Sequence, residues 1–458
     1  MLLNLRPGDG LARADNLLPH ASGTRTRPGG VQQTAAAIDA ALGWGSRIVY
    51  ASGGLLTVLD QGAYALGSAG RGLAATSFQA LTEDAAREDR LYVADGFNPL
   101  WYAVRESGGF GRHTVVNSVL DGAGVPYPVP TSDTVATWRD RLWVGDGYRV
   151  RHSDAEAPAA WDPLFTLSLQ DAHPSRVRAL LPFGERLVVG TDAGLWAITG
   201  TSQFNWQRDQ LVHGRGVVGP RALATDGTRL WWVSPRGLHA LDAADSLSGG
   251  VLDPLFDVPD HGAQLEVTPD GGLLLLFVRG RLLAMNTSSG DFGEIVAPGG
   301  ILGTVRTADA VGWYGPAGLW LLGAEDTPDT ALDGAETAVT SVYETHDQFP
   351  NPRGRALLPR VWIEANGSDL GTLAYTCTID GFAVYTLVTT LADAAAPVAF
   401  SAWDGDVRIA PTPPVQREIA VHRSGRCFRH LLRADCHIEI RRFEPVYQFG
   451  RDPREGGA

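Results

Sequence analysis

Arg47-Ile48-Val49-Tyr50, then Gly53-Gly54, then Leu55-Leu56-Thr57-Val58 is the stretch that decides the fold. A basic residue opens an apolar run, two glycines reverse the chain, and a second apolar run follows. Two short β-prone runs split by glycine form a hairpin signal. The pattern returns along the chain. Copies start at Arg90-Leu91, Arg141-Leu142, Arg186-Leu187 and Arg229-Leu230, and two without the arginine start at Gly272-Leu273 and Ala310-Val311. Successive starts lie about 38 to 51 residues apart, the period of a β-propeller blade or a solenoid repeat.

Working outward, each hairpin is preceded by a strand of small residues: 33–38, 78–81, 134–138, 178–181, 221–224, 264–267 and 302–305. Innermost propeller strands crowd the axis, where small residues fit. Polar segments such as 201–210 follow the hairpins and supply an outer strand. Asp192-Ala193-Gly194, Pro235-Arg236-Gly237 and Gly315-Pro316-Ala317-Gly318 carry the residues that tight reversals need. Leu100-Trp101, Leu195-Trp196, Leu238-His239 and Leu319-Trp320 put a large ring at one recurring position, where it fills the wedge between blades. The expected fold is all-β: a seven-bladed β-propeller (six if the first or last hairpin is a closure strand) over 31–325. Two β-sandwiches would also give short strands and turns, but not units at near-constant spacing.

Beyond 325 the pattern stops. Residues 326–334 read as a Pro/Asp/Thr linker. Over 335–450 the strands lengthen and alternate, as in 360–365, 373–379, 382–388, 418–422 and 437–440, which predicts an antiparallel β-sandwich. Residues 451–458 read as a flexible tail. Residues 1–30 read as an extended arm that docks either on its own last blade or on a neighbouring chain.

The 458 residues are 44% hydrophobic and 19% charged, enough for more than one ordinary domain. All 38 basic residues are arginine, and the formal net charge is −13. That balance lacks the basic footprint of a nucleic-acid binder. Three cysteines are too few for a disulfide framework. No apolar run approaches membrane-spanning length, and the first residues lack the pattern of a signal peptide.

Few residues point to chemistry. Thr191-Asp192-Ala193-Gly194 and Thr225-Asp226-Gly227-Thr228-Arg229 resemble the Asp-box turns of sialidase-type propellers, which are structural there. Cys427, His430, Cys436 and His437 offer metal-ligand residue types. Adjacent strand residues point to opposite faces, so half-buried strand cysteines are the plainer reading, and no metal or cofactor is expected. Glu83-Asp84 and Glu325-Asp326 read as solvated loop carboxylates. No nucleophile elbow or phosphate loop is present. The chain reads as a non-enzyme, with no catalytic residues assigned.

Three motifs carry a resemblance. Asp15-Asn16-Leu17-Leu18-Pro19 with Gly23-Thr24-Arg25-Thr26-Arg27-Pro28-Gly29 opens the chain. Val217-Val218-Gly219-Pro220 leads into Leu230 through Leu238. Cys436 through Ile440, then Pro445-Val446-Tyr447, closes it. Together they resemble the tail nozzle, or packaged-DNA stabilisation, proteins of short-tailed bacteriophages. The resemblance implies a structural virion protein, assembled in the host cytoplasm, that forms a ring in the tail, usually of six copies. It would sit below the adaptor or head–tail connector and beside other tail proteins such as fibres. DNA would pass its lumen without sequence-specific binding. Arginine in the arm suits subunit contacts, because its planar fork pairs with carboxylates. The expected interface residues are therefore Asn16, Leu17, Leu18, Pro19, Arg25 and Arg27. Two alternatives stay open: a host-surface or glycan-binding propeller module of a tail, and a propeller-type glycoside hydrolase or lyase.

Overall fold

The computed structural model describes residues 11–15, 17–20, 23–26, 30–60, 63–68, 74–81, 87–169, 175–243, 246–247, 255–256, 262–290, 292–297, 299–323, 329–330, 336–337, 341–345, 356–367, 372–390, 415–425, 427–435 and 438–449. The chain is all-β, with no α-helix among the described residues. It divides into two compact units. One comprises Gln32–Leu282 with Ala297–Leu321, and the other Met1–Val31, Leu283–Val296 and Leu322–Ala458.

The first unit is built from the repeats. In the first blade Ala40–Trp44, Arg47–Ser52, Leu55–Leu59 and Ala63–Ser68 pair in order. The second runs from Ala74–Leu81 to Gly109–Thr114, the third from Val135–Trp138 to Thr166–Ser168, and the fourth from Val177–Phe183 to Gln207–His213. The fifth has three described strands, Leu223–Thr225, Leu230–Ser234 and Gly237–Ala240. Ala263–Val267 pairs with Leu273–Val278, and Gly303–Arg306 with Val311–Gly315. The seven described inner strands neighbour one another in chain order, and Gly303–Arg306 neighbours Ala40–Trp44, so the ring closes.

This ring explains why the second strands read as continuous apolar runs rather than alternating ones. Leu187, Val188 and Val189 are all buried, because neighbouring blades cover both faces of the sheet. The wedges between blades hold the large rings. Trp44 and Trp101 fill the first, while Trp138, Trp143 and the half-buried Trp206 fill the third. The small inner residues are a steric requirement. A Cβ on Gly43 would lie 1.7 Å from the Arg306 carbonyl oxygen of the last blade.

One inner strand differs from expectation. Residues 33–38 are not the first inner strand, which is Ala40–Trp44. Gly30–Thr34 instead lies beside Gly318–Leu322 as an outer strand of the last blade. The Gln32 amide donates to the Ala317 carbonyl at 2.8 Å. Gly318, at φ +119°, lets the Thr34 carbonyl approach where a Cβ would clash at 2.1 Å. The last blade thus takes its outer strand from the other end of the chain, which locks the ring.

The second unit is a two-sheet sandwich. One sheet orders Leu11–Asp15, Ser341–Thr345, Phe428–Ala434, Thr372–Ile379 and Phe382–Thr390; the other orders Leu17–His20, Gly23–Thr26, Ile438–Phe449, Ala356–Gly367 and Val415–Gly425. Thr372–Ile379 alternates half-buried and buried residues along its length, as a strand packed on one face must. Val361, Ile363, Tyr375, Cys377, Phe428 and Leu432 are among the residues that fill the interior. The boundaries differ from those read in the sequence. Strands from the 1–30 arm are woven into both sheets, and Phe292–Ile295 runs parallel to Leu11–Asp15. Within the 326–334 linker, Asp329–Thr330 pairs with Glu336–Thr337.

Candidate functional site

The expected interface residues fall on one hairpin. Leu17–His20 pairs with Gly23–Thr26, setting Leu17 opposite Thr26, Leu18 opposite Arg25 and Pro19 opposite Thr24. That hairpin continues into the last strand, with Thr24 opposite Ile440 and Arg25 opposite Glu439. Leu17, Leu18 and Pro19 therefore stand on the outermost strand of their sheet, and Arg25 one strand in. Asn16 and Arg27 lie outside the described residues.

The densest polar constellation was not singled out as a site from sequence. Arg221, just before the inner strand of the fifth blade, reaches across the axis. Its guanidinium donates to the Ala41 carbonyl at 2.8 Å, the Thr304 carbonyl at 2.6 Å and the Glu266 carboxylate at 2.8 Å. These acceptors belong to the inner strands of the first, seventh and sixth blades. Beside them, the Gln264 carbonyl accepts from the Thr304 amide at 2.9 Å, and its NH2 donates to the Tyr314 hydroxyl at 3.1 Å. Burial works against the Arg221 charge, but Tyr314 and Glu266 outweigh it and hold the pKa above the ordinary value. Across the ring, the Thr76 hydroxyl meets that of Thr137 at 3.0 Å, tying the second and third inner strands. An arginine with its fork committed to two carbonyls and a carboxylate is a fixed cation, not an acid or base. The faint sequence signal was Arg221-Ala222-Leu223-Ala224 matching Arg178-Ala179-Leu180-Leu181. Arg178 occupies the same repeat position but bonds Asp192 within its own blade.

A buried polar group lies in the sandwich. The His430 ring meets the Tyr375 hydroxyl at Nδ1 and the Tyr447 hydroxyl at Nε2, each at 2.8 Å. A neutral imidazole has one N–H, so one tyrosine donates and the other accepts. Burial lowers the His430 pKa to about 4 and raises the neighbouring Cys377 thiol to about 11. Both ring nitrogens are engaged, which leaves none for a metal. Cys427 is held through its amide by Asp380 at 2.9 Å. Cys436 and His437 lie outside the described residues. Among the described residues, no group of three or more His, Cys, Asp or Glu converges on a metal position.

The Asp boxes are turns. The Asp226 carboxylate accepts from the Thr228 and Arg229 amides, each at 2.7 Å. Burial opposes its ionisation, but those two amides, the Thr228 hydroxyl and the Arg229 charge together outweigh it and hold the carboxyl below the usual range. Thr191 caps the equivalent turn of the fourth blade through the Gly194 amide. Glu83-Asp84 and Glu325-Asp326 lie outside the described residues.

No protein-family model and no curated protein matches the chain. Among solved structures, it is similar to PorZ, an essential bacterial surface component of the type-IX secretion system of Porphyromonas gingivalis. That match covers 64% of this chain and 38% of PorZ, at 15% identity and a TM-score of 0.39. It is also similar to the extracellular domain of a hybrid two-component system of B. thetaiotaomicron, over 69% of this chain and 41% of that one, at 14% identity and a TM-score of 0.39. The chain thus spans about two fifths of the length of each. The functional reading therefore rests on this chain's own residues.

Proposed function

We propose that this chain is a non-catalytic structural protein of a bacteriophage tail. Copies form a ring of the nozzle type, extend the DNA channel below the adaptor, and help to retain and then release the genome. One observation supports the reading most. Two motifs that carry the resemblance lie at opposite ends of the sequence, yet they are adjacent strands of one sheet, with Thr24 opposite Ile440 and Arg25 opposite Glu439. The bracketing motifs are one structural element.

The proposed mechanism is steric and electrostatic. The propeller is a rigid wall, since its ring is locked by the Gly30–Thr34 strand and by Arg221. A net charge of −13 keeps phosphate backbones from adhering during passage. The axis also argues for a structural role. Its charged pair is spent on inter-blade bonds, whereas a hydrolase of this fold would present its charged groups to substrate. A second reading, a host-surface or glycan-binding propeller, is favoured by Phe204, an aromatic ring held 89% exposed on a turn of the fourth blade. It differs in expecting a monomer.

Purified particles test the proposal. Peptides of this chain should be found in them at several copies per portal, with antibody label at the tail. Absence from particles, or turnover on a panel of glycans, would contradict it.

A further inference from the structure

The first four blades take their outer strand from the chain that follows their third strand. Leu55–Leu59 pairs with Ala63–Ser68, Trp101–Glu106 with Gly109–Thr114, Arg149–His152 with Thr166–Ser168 and Gly194–Thr199 with Gln207–His213, each antiparallel. The last blade breaks that order. Beside its third strand, Gly318–Leu322, lies Gly30–Thr34 from the other end of the chain, and Asp329–Thr330 stands one place further out.

Strand direction decides which segment can replace which. The Thr34 carbonyl meets Gly318, the first residue of the third strand, so Gly30–Thr34 runs antiparallel to it. Asp329–Thr330 runs parallel to Gly30–Thr34, with Thr330 opposite Val31. It therefore has the direction that the blade's own outer strand would have. Its connection to the third strand, residues 323–328, is longer than 107–108 in the second blade and shorter than 200–206 in the fourth. The segment that chain order assigns to the outer position is present and correctly directed, but displaced by one strand spacing, about 4.8 Å.

The strand that holds its place is lightly fastened. Val31 is 39% exposed, and Gln32, Gln33 and Thr34 are half-buried. Beyond them Ala35, Ala36 and Ala37 are exposed. The chain is anchored again at Ile38, which is 1% exposed and donates its amide to the Gly315 carbonyl at 3.0 Å. With no fully buried apolar side chain in 31–34, much of the hold falls to backbone pairing and to the Gln32 side-chain amide on the Ala317 carbonyl. Backbone pairing can be remade by any strand of the right direction.

We propose that the last blade is a strand-exchange latch. Gly30–Thr34 swings out about the hinge at Ala35–Ala37, and Asp329–Thr330 moves one place inward to pair with Gly318–Leu322. The ring stays closed in both states, and the edge of the third strand is never left bare. Once released, Gly30–Thr34 has both of its own edges free, ready to add to an exposed sheet edge elsewhere. Elements that move in this way come from the weakly fastened end of a structure. The inference stands on strand order and direction alone, and holds whatever the chain does in a particle.

The test is a double-substitution cycle on the purified full chain. Gln32→Pro removes a backbone donor of the observed strand and its side-chain bond to Ala317, and Thr330→Pro removes a backbone donor of the waiting one. Urea unfolding is read by tryptophan fluorescence, since most of the tryptophans lie in the propeller. With exchange, each strand covers for the other. Each single substitution should then change the unfolding constant by less than about tenfold, and the pair by roughly tenfold more than the product of the two. Without exchange, Asp329–Thr330 is joined to the blade through Gly30–Thr34, so Gln32→Pro already costs both. A combined effect equal to the product or smaller would overturn the proposal, as would a Gln32→Pro chain that cannot fold. A double variant that fails to fold while each single one folds is the expected synergy at its limit. Hydrogen exchange gives a second readout. In Gln32→Pro the Thr330 amide should stay at least as protected as in the parent while 30–34 exchange freely, and loss of protection at both would contradict the exchange.

Discussion

The propeller axis holds a half-buried arginine and the sandwich interior a buried histidine, and they treat charge in opposite ways. At the axis, Arg221 keeps its charge, because two carbonyls and a carboxylate from three blades converge on its fork. In the sandwich, the His430 ring meets the hydroxyls of Tyr375 and Tyr447, and burial keeps it neutral. An interior holds a charge where fixed acceptors are supplied, and otherwise discharges the group. The axis can supply them because inner strands of several blades meet there. A two-sheet core offers mostly apolar faces.

Removing the charge at the axis should have the largest effect. Arg221→Ala leaves Glu266 without its partner and two carbonyls short of donors, and should cost about 3–5 kcal/mol in urea unfolding. A loss under about 1 kcal/mol would mean that the network adds little to ring closure. Arg221→Lys should recover only part, since an ammonium cannot span the same fork.

Acid should next separate the neutral groups from the charged one. His430 and His152 both have pKa values lowered to about 4, the first by burial, the second by burial and then Arg141. Above pH 6.5 they contribute no pH dependence. As pH falls from about 6.5 to about 4, the unfolded chain binds protons that the folded chain does not, so stability declines by about 3 kcal/mol for each. Unfolding midpoints at pH 7 and pH 4.5 measure this. His430→Leu should flatten the acid loss of the sandwich while leaving that of the propeller.

Gly43→Ala should cost about 1–3 kcal/mol, because its Cβ meets the Arg306 carbonyl of the adjoining blade. Asp226→Ala should cost about 1 kcal/mol, by freeing turn amides at an exposed site where water replaces the carboxylate. Thermal unfolding checks both, and a reversed order would mean that turns rather than inter-blade packing limit the ring.

Much of the propeller was legible because its signals are local. The run from Arg186 to Trp196 contains two strands and the turn between them, and its register follows from the turn. The sandwich strands were legible through alternation, as in Thr372–Ile379. What escaped depends on distant partners. Residues 33–38, with three alanines in a row, read as small and strand-like as the Ala40-Ala41-Leu42 that forms the inner strand, and their neighbours at Ala317 and Gly318 show that the stretch up to Thr34 belongs to the last blade. The Leu17–His20 hairpin reads as an arm until its partner, more than 400 residues on, is known. Arg221 resembles Arg178 in sequence, yet its acceptors come from residues 41, 266 and 304. No spacing rule links those positions.

In the proposed ring, copies of this wall surround a channel. Electron cryo-microscopy of intact particles tests it most directly. The expected result is several symmetry-related propellers in a closed ring below the adaptor, with DNA density along the lumen. A single copy per tail, or density confined to the tip of a fibre, would contradict it.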